Sequence, residues 1–273
     1  MVLFEGTGNS IFTSDNLKEW KYESHINGFW ECPEMFELPV DGNSVNKKWV
    51  MYGASGTYMI GNFDGKKFIK ESGKNYYHKG ILYAAQTYNN MPDDRRIQIG
   101  WGRAASPGMP FNQMMTFPAE LSLRTTNEGV RLFIEPISAI ETLYKKEHKW
   151  ENIYLEGENK DLLADVQGEL LHIKLEFEIQ TSNSFGLNIN GYKIGYDLNF
   201  TQLNEVFLSP DDNRIYLEIL IDRNSVEIFA NHGRLYLSAV HNSVDQLKRI
   251  ELFSIDGKTL VKTMEIYELK SIW

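Results

Sequence analysis

Leu170-Leu171-His172-Ile173-Lys174-Leu175-Glu176-Phe177-Glu178-Ile179 alternates in polarity along most of its length. Ile173, Leu175, Phe177 and Ile179 fall on one face, and His172, Lys174, Glu176 and Glu178 on the other. A two-residue period is that of a strand with one face on a core and one toward water. Working outward, similar pieces occur at Trp49–Tyr52, Tyr58–Ile60, Ile97–Trp101, Glu120–Leu123, Arg131–Ile134, Ile215–Ile221, Val226–Phe229, Leu235–Val240, Ile250–Phe253 and Met264–Leu269. Asn27-Gly28, Asp41-Gly42, Asp64-Gly65, Asn190-Gly191 and Asp256-Gly257 separate them, residue types that tolerate the positive φ of tight hairpins. Many short strands with regular turns predict an all-β sandwich, barrel or propeller. Strands do not alternate with long helical stretches, so a parallel α/β fold is not expected.

One segment departs from this pattern. From Pro136 to Lys149, Ile137, Ile140 and Leu143 have helical spacing, and Glu141 can pair with Lys145 one turn on. The spacing predicts a helix or helical turn over about 136–149, which divides the chain into residues 1–149 and 150–273. The second part has the size of one β-sandwich. No fixed-period repeat and no low-complexity tract is present.

Composition narrows the function. The 273 residues are 42% hydrophobic and 24% charged, an ordinary globular balance. Lys plus Arg number 28 against 37 Asp plus Glu, a net charge of −9, which argues against nucleic acid and against an anionic membrane surface. No apolar run approaches the roughly 20 residues of a membrane span, and the first residues lack the basic flank and apolar stretch of a signal peptide. A single cysteine, Cys32, excludes an intrachain disulfide and says nothing of compartment. The 14 Tyr, 15 Phe and 6 Trp suit both sugar binding and sheet packing.

Most catalytic signatures are missing. His25, His78, His148, His172, His232 and His241 form no His-Glu-x-x-His pattern, and one cysteine cannot build a cysteine-based zinc site. Gly53-Ala54-Ser55-Gly56 lacks nucleophile-elbow spacing, and Gly6-Thr7-Gly8 lacks the third glycine of a dinucleotide loop; both read as turns. The informative stretch is Gly28-Phe29-Trp30-Glu31-Cys32-Pro33-Glu34. Apolar neighbours around Glu31 would disfavour its charged form, as a general acid requires. The alternative is a strand-end glutamate paired with an arginine or a backbone N–H.

Trp30-Glu31-Cys32-Pro33 resembles the Glu-Cys-Pro motif of glycoside hydrolase family 32, the invertases, levanases and inulinases. Phe12-Thr13-Ser14-Asp15-Asn16-Leu17-Lys18-Glu19-Trp20 resembles the segment that precedes that motif. Tyr83-Ala84-Ala85-Gln86-Thr87, Arg95-Arg96-Ile97-Gln98-Ile99-Gly100-Trp101 and Phe117-Pro118-Ala119-Glu120-Leu121 follow in family order. Asp222-Arg223-Asn224-Ser225-Val226-Glu227-Ile228-Phe229-Ala230-Asn231 resembles the signature of the family's C-terminal sandwich. The resemblance thus runs from end to end of the chain.

It implies a five-bladed propeller followed by a β-sandwich, and a retaining hydrolysis of β-fructofuranosides such as sucrose, levan or inulin. Glu31 would be the general acid/base, with Cys32 beside it helping to set its pKa. Trp101 would match a tryptophan of the sugar pocket. Trp30 is either pocket wall or core, with core the expectation, and Glu34 is expected to be structural. No metal or organic cofactor is implied, since two carboxylates suffice.

Two family motifs are absent: the Asn-Asp-Pro-Asn-Gly segment that carries the nucleophilic aspartate, and the Arg-Asp-Pro segment whose aspartate holds sugar hydroxyls. Blades of roughly 40–50 residues leave residues 1–149 room for about three, whereas propellers close with four to eight. The expectation is an N-terminally truncated propeller, inactive alone, which would self-associate through exposed edges, require the missing part in trans, or be unstable. Asp15, Asp41 and Asp64 stand in turn contexts and are expected to cap or to face solvent. The stretch Tyr76-Tyr77-His78-Lys79-Gly80-Ile81-Leu82 departs from the Asp-Gly often found before the segment of Tyr83. A non-catalytic carbohydrate-binding protein and a decayed gene product are the other two readings. An export signal would precede Met1, so compartment is not read from these residues.

Overall fold

The computed structural model describes residues 1–108, 110–159, 162–166, 169–240 and 250–272; His241 lies outside them. The chain forms two compact units, Met1–Ile137 with Tyr236–Ser238, and Ser138–Leu235 with Ala239–Trp273. Among the described residues no helix is long and apolar enough to cross a membrane.

The first unit is built from antiparallel meanders. Val2–Glu5 (β1), Gly8–Thr13 (β2) and Lys21–Asn27 (β3) make a three-stranded sheet. Glu34–Val40 (β4), Asn43–Tyr52 (β5), Thr57–Phe63 (β6) and Phe68–Tyr76 (β7) pair in sequence order. The β4–β5 hairpin turns at Asp41 and Gly42, both with positive φ (52° and 71°), as the Asp-Gly pair predicts. After the short His78–Gly80 (β8) come Leu82–Thr87 (β9), Ile97–Gly102 (β10), Met114–Met115 (β11), Ala119–Thr126 (β12) and Gly129–Pro136 (β13). They form a third sheet in the order β9-β10-β12-β13, with β11 on the end of β10.

One parallel pair, Val40 with Leu123, joins the second and third sheets. Beside it the Asp41 carboxylate accepts from the Thr125 N–H at 2.8 Å and from its hydroxyl at 2.6 Å, bonds that hold that carboxyl below its usual range. An apolar cluster of Ile11, Ile26, Phe29, Met51, Met59 and Phe68 packs the first sheet's face against the second's. Removing such faces from water is the main term that holds sheets together.

The second unit is a β-sandwich. Tyr144–Asn159 (β14), Leu171–Glu178 (β15), Ser184–Ile189 (β16), Tyr192–Asp197 (β17), Gln202–Leu203 (β18) and Val206–Phe207 (β19) come first. Arg214–Ile221 (β20), Ser225–Ala230 (β21), Leu235–Val240 (β22, of which Tyr236–Ser238 belong to the first unit) and Ile250–Leu269 (β23) follow. The long β23 serves two layers: its Ile250–Ile255 portion pairs with β16, and Leu260–Glu268 with β15. Gly257 lies between the two portions at φ +145°, where a Cβ would come within 2.5 Å of the Thr181 carbonyl oxygen. A strand that bends and changes layer in this way makes a corner of a sandwich. Phe177 of β15 meets Phe185 of β16 at 4.8 Å in the fully buried interior.

Two sequence expectations need correction here. The helical reading of 136–149 survives only as a 3-10 turn over Ser138–Leu143. From Tyr144 onward the chain is strand, because β23 offers a ladder from Leu269 down to Leu252 that outweighs weak helical spacing. The first compact unit runs to Ile137 and the second starts at Ser138. His172, placed on the polar face of its strand, is fully buried; the Tyr144 hydroxyl at 2.9 Å from Nδ1 and the Glu218 carboxylate at 2.8 Å from Nε2 satisfy both ring nitrogens.

Candidate active site

Phe29 anchors the segment that carries Glu31. Its ring is buried, and Gly53 passes so close that a Cβ there would come within 3.1 Å of Phe29 Cβ and 3.3 Å of the Glu31 carbonyl oxygen. The Ala54 N–H donates to that carbonyl at 2.8 Å, and the Ala54 carbonyl accepts from the Ala84 N–H at 3.1 Å. One turn therefore ties the Glu31 backbone to β9. Cys32 and Ala84 both take left-handed φ, 49° and 50°, each costing on the order of 1 kcal/mol for a residue with a Cβ.

The Glu31 side chain is exposed, and its Oε2 accepts a hydrogen bond from the Tyr83 hydroxyl at 2.6 Å. Tyr83 stands opposite Trp101 in the β9–β10 ladder, and the two rings meet edge to face at 6.2 Å. A register shift between Ile99 and Trp101 bulges β10 there. Gly100 makes the bulge compact: its N–H donates to Thr116 Oγ1 at 3.0 Å, and a Cβ on it would lie 3.0 Å from Leu82 Cδ1. Bulges re-aim side chains, and the Trp101 indole is left 43% exposed. Arg103, two residues on, sets its guanidinium over the Tyr83 ring at 4.6 Å. The bond to Glu31 raises the Tyr83 pKa above its ordinary value, against an opposing pull from Arg103.

The sequence-derived residues separate in space. Glu31 and Trp101 are brought together through Tyr83, which touches both. The Cys32 side chain is exposed next to Glu31, and its carbonyl accepts from Gln86 Nε2 at 3.4 Å. Trp30, expected in the core, is 57% exposed and packs on Phe4 with ring centroids 5.1 Å apart. The apolar enclosure proposed for Glu31 is not found, because Trp30 turns to Phe4 and leaves the carboxyl to solvent and to Tyr83. Glu34 is bonded within the unit by Tyr52 and Thr87. Asp64 caps its turn through Lys66 N and Lys67 N at 2.8 and 2.7 Å.

Tyr83 and Arg103 were not singled out from sequence as site residues. Arg103 is two positions from Trp101, the spacing that puts two strand residues on one face, so it was within reach of sequence reasoning. Tyr83 depends on the bulged register of β10, which no local pattern announces. The assembled group, an accessible carboxyl, a phenol, a guanidinium and an exposed indole, can exchange a proton beside an aromatic surface suited to the apolar face of a sugar ring.

Comparison with known proteins gives consistent matches. The model of the glycosyl hydrolases family 32 N-terminal domain matches residues 5–136, and that of the glycosyl hydrolases family 32 C terminal matches residues 191–268. A levanase of Bacillus subtilis is 32% identical over all of this chain, which covers 48% of that protein. Among solved structures, the exo-inulinase from Aspergillus awamori superposes with a TM-score of 0.82 at 24% identity, over 98% of this chain and 63% of that one. The β-fructofuranosidase from Schwanniomyces occidentalis complexed with fructosyl-erythritol gives 0.78 at 20% identity, over 97% and 65%. The chain spans about half the length of the levanase it matches, and the fold is that of propeller blades followed by a sandwich.

Proposed function

Since the chain belongs to glycosyl hydrolase family 32, we propose that it carries the proton-donating half of a β-fructofuranosidase site, acting on fructose-containing oligo- or polysaccharides. The observation that carries this reading is the exposed Glu31 carboxyl, hydrogen-bonded to Tyr83 beside the exposed Trp101. In a retaining mechanism Glu31 gives its proton to the leaving-group oxygen, then takes one from the water that releases the fructosyl group. Tyr83 orients the carboxyl, Trp101 covers the sugar ring and Cys32 lines the approach.

Retaining chemistry needs a second carboxyl roughly 5–5.5 Å from the first. The 273 residues contain neither the Asn-Asp-Pro-Asn-Gly nor the Arg-Asp-Pro segment. That absence favours a second reading for the chain by itself, fructan binding without cleavage.

The two readings are separated by incubating the 273-residue chain with sucrose, levan and inulin and assaying free fructose. No release is expected. Turnover that Glu31→Gln abolishes would instead show a complete site within these residues. The chain also associates with itself through β1 and β3, the two edges of the first sheet, where Leu3 and Tyr22 are exposed.

A further inference from the structure

Glu31 and Tyr83 meet although the strands beside them are not neighbours. β4 pairs with β5 and touches β12, while β9 pairs with β10. The Ala54 turn links the two main chains, but it does not determine how far each side chain reaches. Glu34, the first residue of β4, spans the same gap with its side chain. Its Oε2 accepts from the Thr87 N–H at 2.9 Å and from the Tyr52 hydroxyl at 2.8 Å, and its Oε1 accepts from the Thr87 hydroxyl. The Thr87 oxygen in turn accepts from Arg96 at 3.1 Å. Thr87 ends β9 and Tyr52 ends β5, so one carboxylate gathers the ends of three strands.

We infer that Glu34 is a positioning residue for the proton donor: resting on the reading of Glu31 given above, it clamps β4 to β9 so that Glu31 and Tyr83 stay within hydrogen-bond reach. The chemistry of the clamp explains the residue type. A carboxylate offers two acceptor oxygens, and its charge-assisted bonds are roughly twice as strong as neutral ones. Glutamine has the same shape but puts an NH2 group where donors converge.

The Tyr83 phenol reports the clamp without any need for turnover. Tyrosine carrying 13C at Cζ gives a titration curve for each phenol in the intact chain by NMR. Tyr83 is expected to titrate above the ordinary phenol value and to fall toward it in Glu31→Gln. Glu34→Gln and Thr87→Val, each close in shape to the residue replaced, are expected to move the Tyr83 midpoint downward as well. Thr87→Ser, which keeps the hydroxyl, is expected to leave the midpoint where it is. A midpoint that falls in Glu31→Gln but stays put in both Glu34→Gln and Thr87→Val overturns the positioning role and leaves the Glu31 site standing. A midpoint indifferent to Glu31→Gln removes the Glu31–Tyr83 pairing itself. The amide spectrum verifies that each variant is folded, and Thr87→Val keeps the test open should Glu34→Gln not fold.

Discussion

Ser238 Oγ accepts hydrogen bonds from the backbone N–H groups of Ile81 at 3.1 Å and Leu82 at 3.3 Å, which leaves its own proton to donate to His78 Nε2 at 2.8 Å. The imidazole is thereby fixed as a neutral acceptor, and protonating Nε2 would set a third donor against an oxygen with two lone pairs. Burial first, then the Arg103 charge, holds the His78 pKa down to about 3. In the unfolded chain it returns to about 6.5, so between those values the unfolded state binds more protons and stability falls as pH falls. Urea unfolding from pH 7 to pH 4 should therefore show wild type losing about 1.4 kcal/mol more per pH unit than His78→Asn below pH 6.5. Parallel slopes would contradict this account of His78. What sequence reveals at this scale depends on how local the cause is. Glu31 was legible because its motif is a run of adjacent residues, whereas the burial of His172 and the exposure of Trp30 depend on Tyr144 and Phe4, each more than twenty residues away.

Strands announce themselves by period, and β15 and the Asp41-Gly42 hairpin were readable for that reason. The start of β14 was not, because Ile137, Ile140 and Leu143 mimic a helical face until pairing with β23 takes over. The Asp222–Asn231 segment was recognised as a signature, and its ending has a structural cause. The Asn231 side chain accepts from the Tyr216 N–H at 3.0 Å and donates to the Ser209 carbonyl at 2.8 Å. We propose that the second unit folds by itself when it begins at Ser138. A fragment starting at Trp150 loses Tyr144, whose ring stacks on Tyr267 at 3.9 Å and whose hydroxyl satisfies buried His172. An unpaired buried nitrogen and a lost stack together cost about 3 kcal/mol, so the shorter fragment should melt roughly 10 °C lower. Equal melting temperatures would mean that Tyr144–Lys149 contribute nothing.

At the scale of the whole molecule, the sequence conveyed the class of sheet and the family but not the pairing of sheets. Val40 meets Leu123 across more than eighty residues, and nothing near either residue signals it. The first sheet's edges carry the proposal of self-association. Leu3 on β1 is 47% exposed, and lysine at an edge discourages pairing. Light scattering after size exclusion should show a dimer or larger species for the chain and a smaller one for Leu3→Lys. A wild-type monomer would contradict the proposal. If Glu31 stands ready to protonate a fructoside laid against Trp101, a crystal of this chain soaked with a short levan- or inulin-type oligosaccharide will reveal it. A terminal fructosyl ring is expected on the Trp101 face, with its glycosidic oxygen about 2.6–3.2 Å from a Glu31 carboxyl oxygen. Sugar bound elsewhere, or a Glu31 carboxyl turned away from the bound ring, would contradict it.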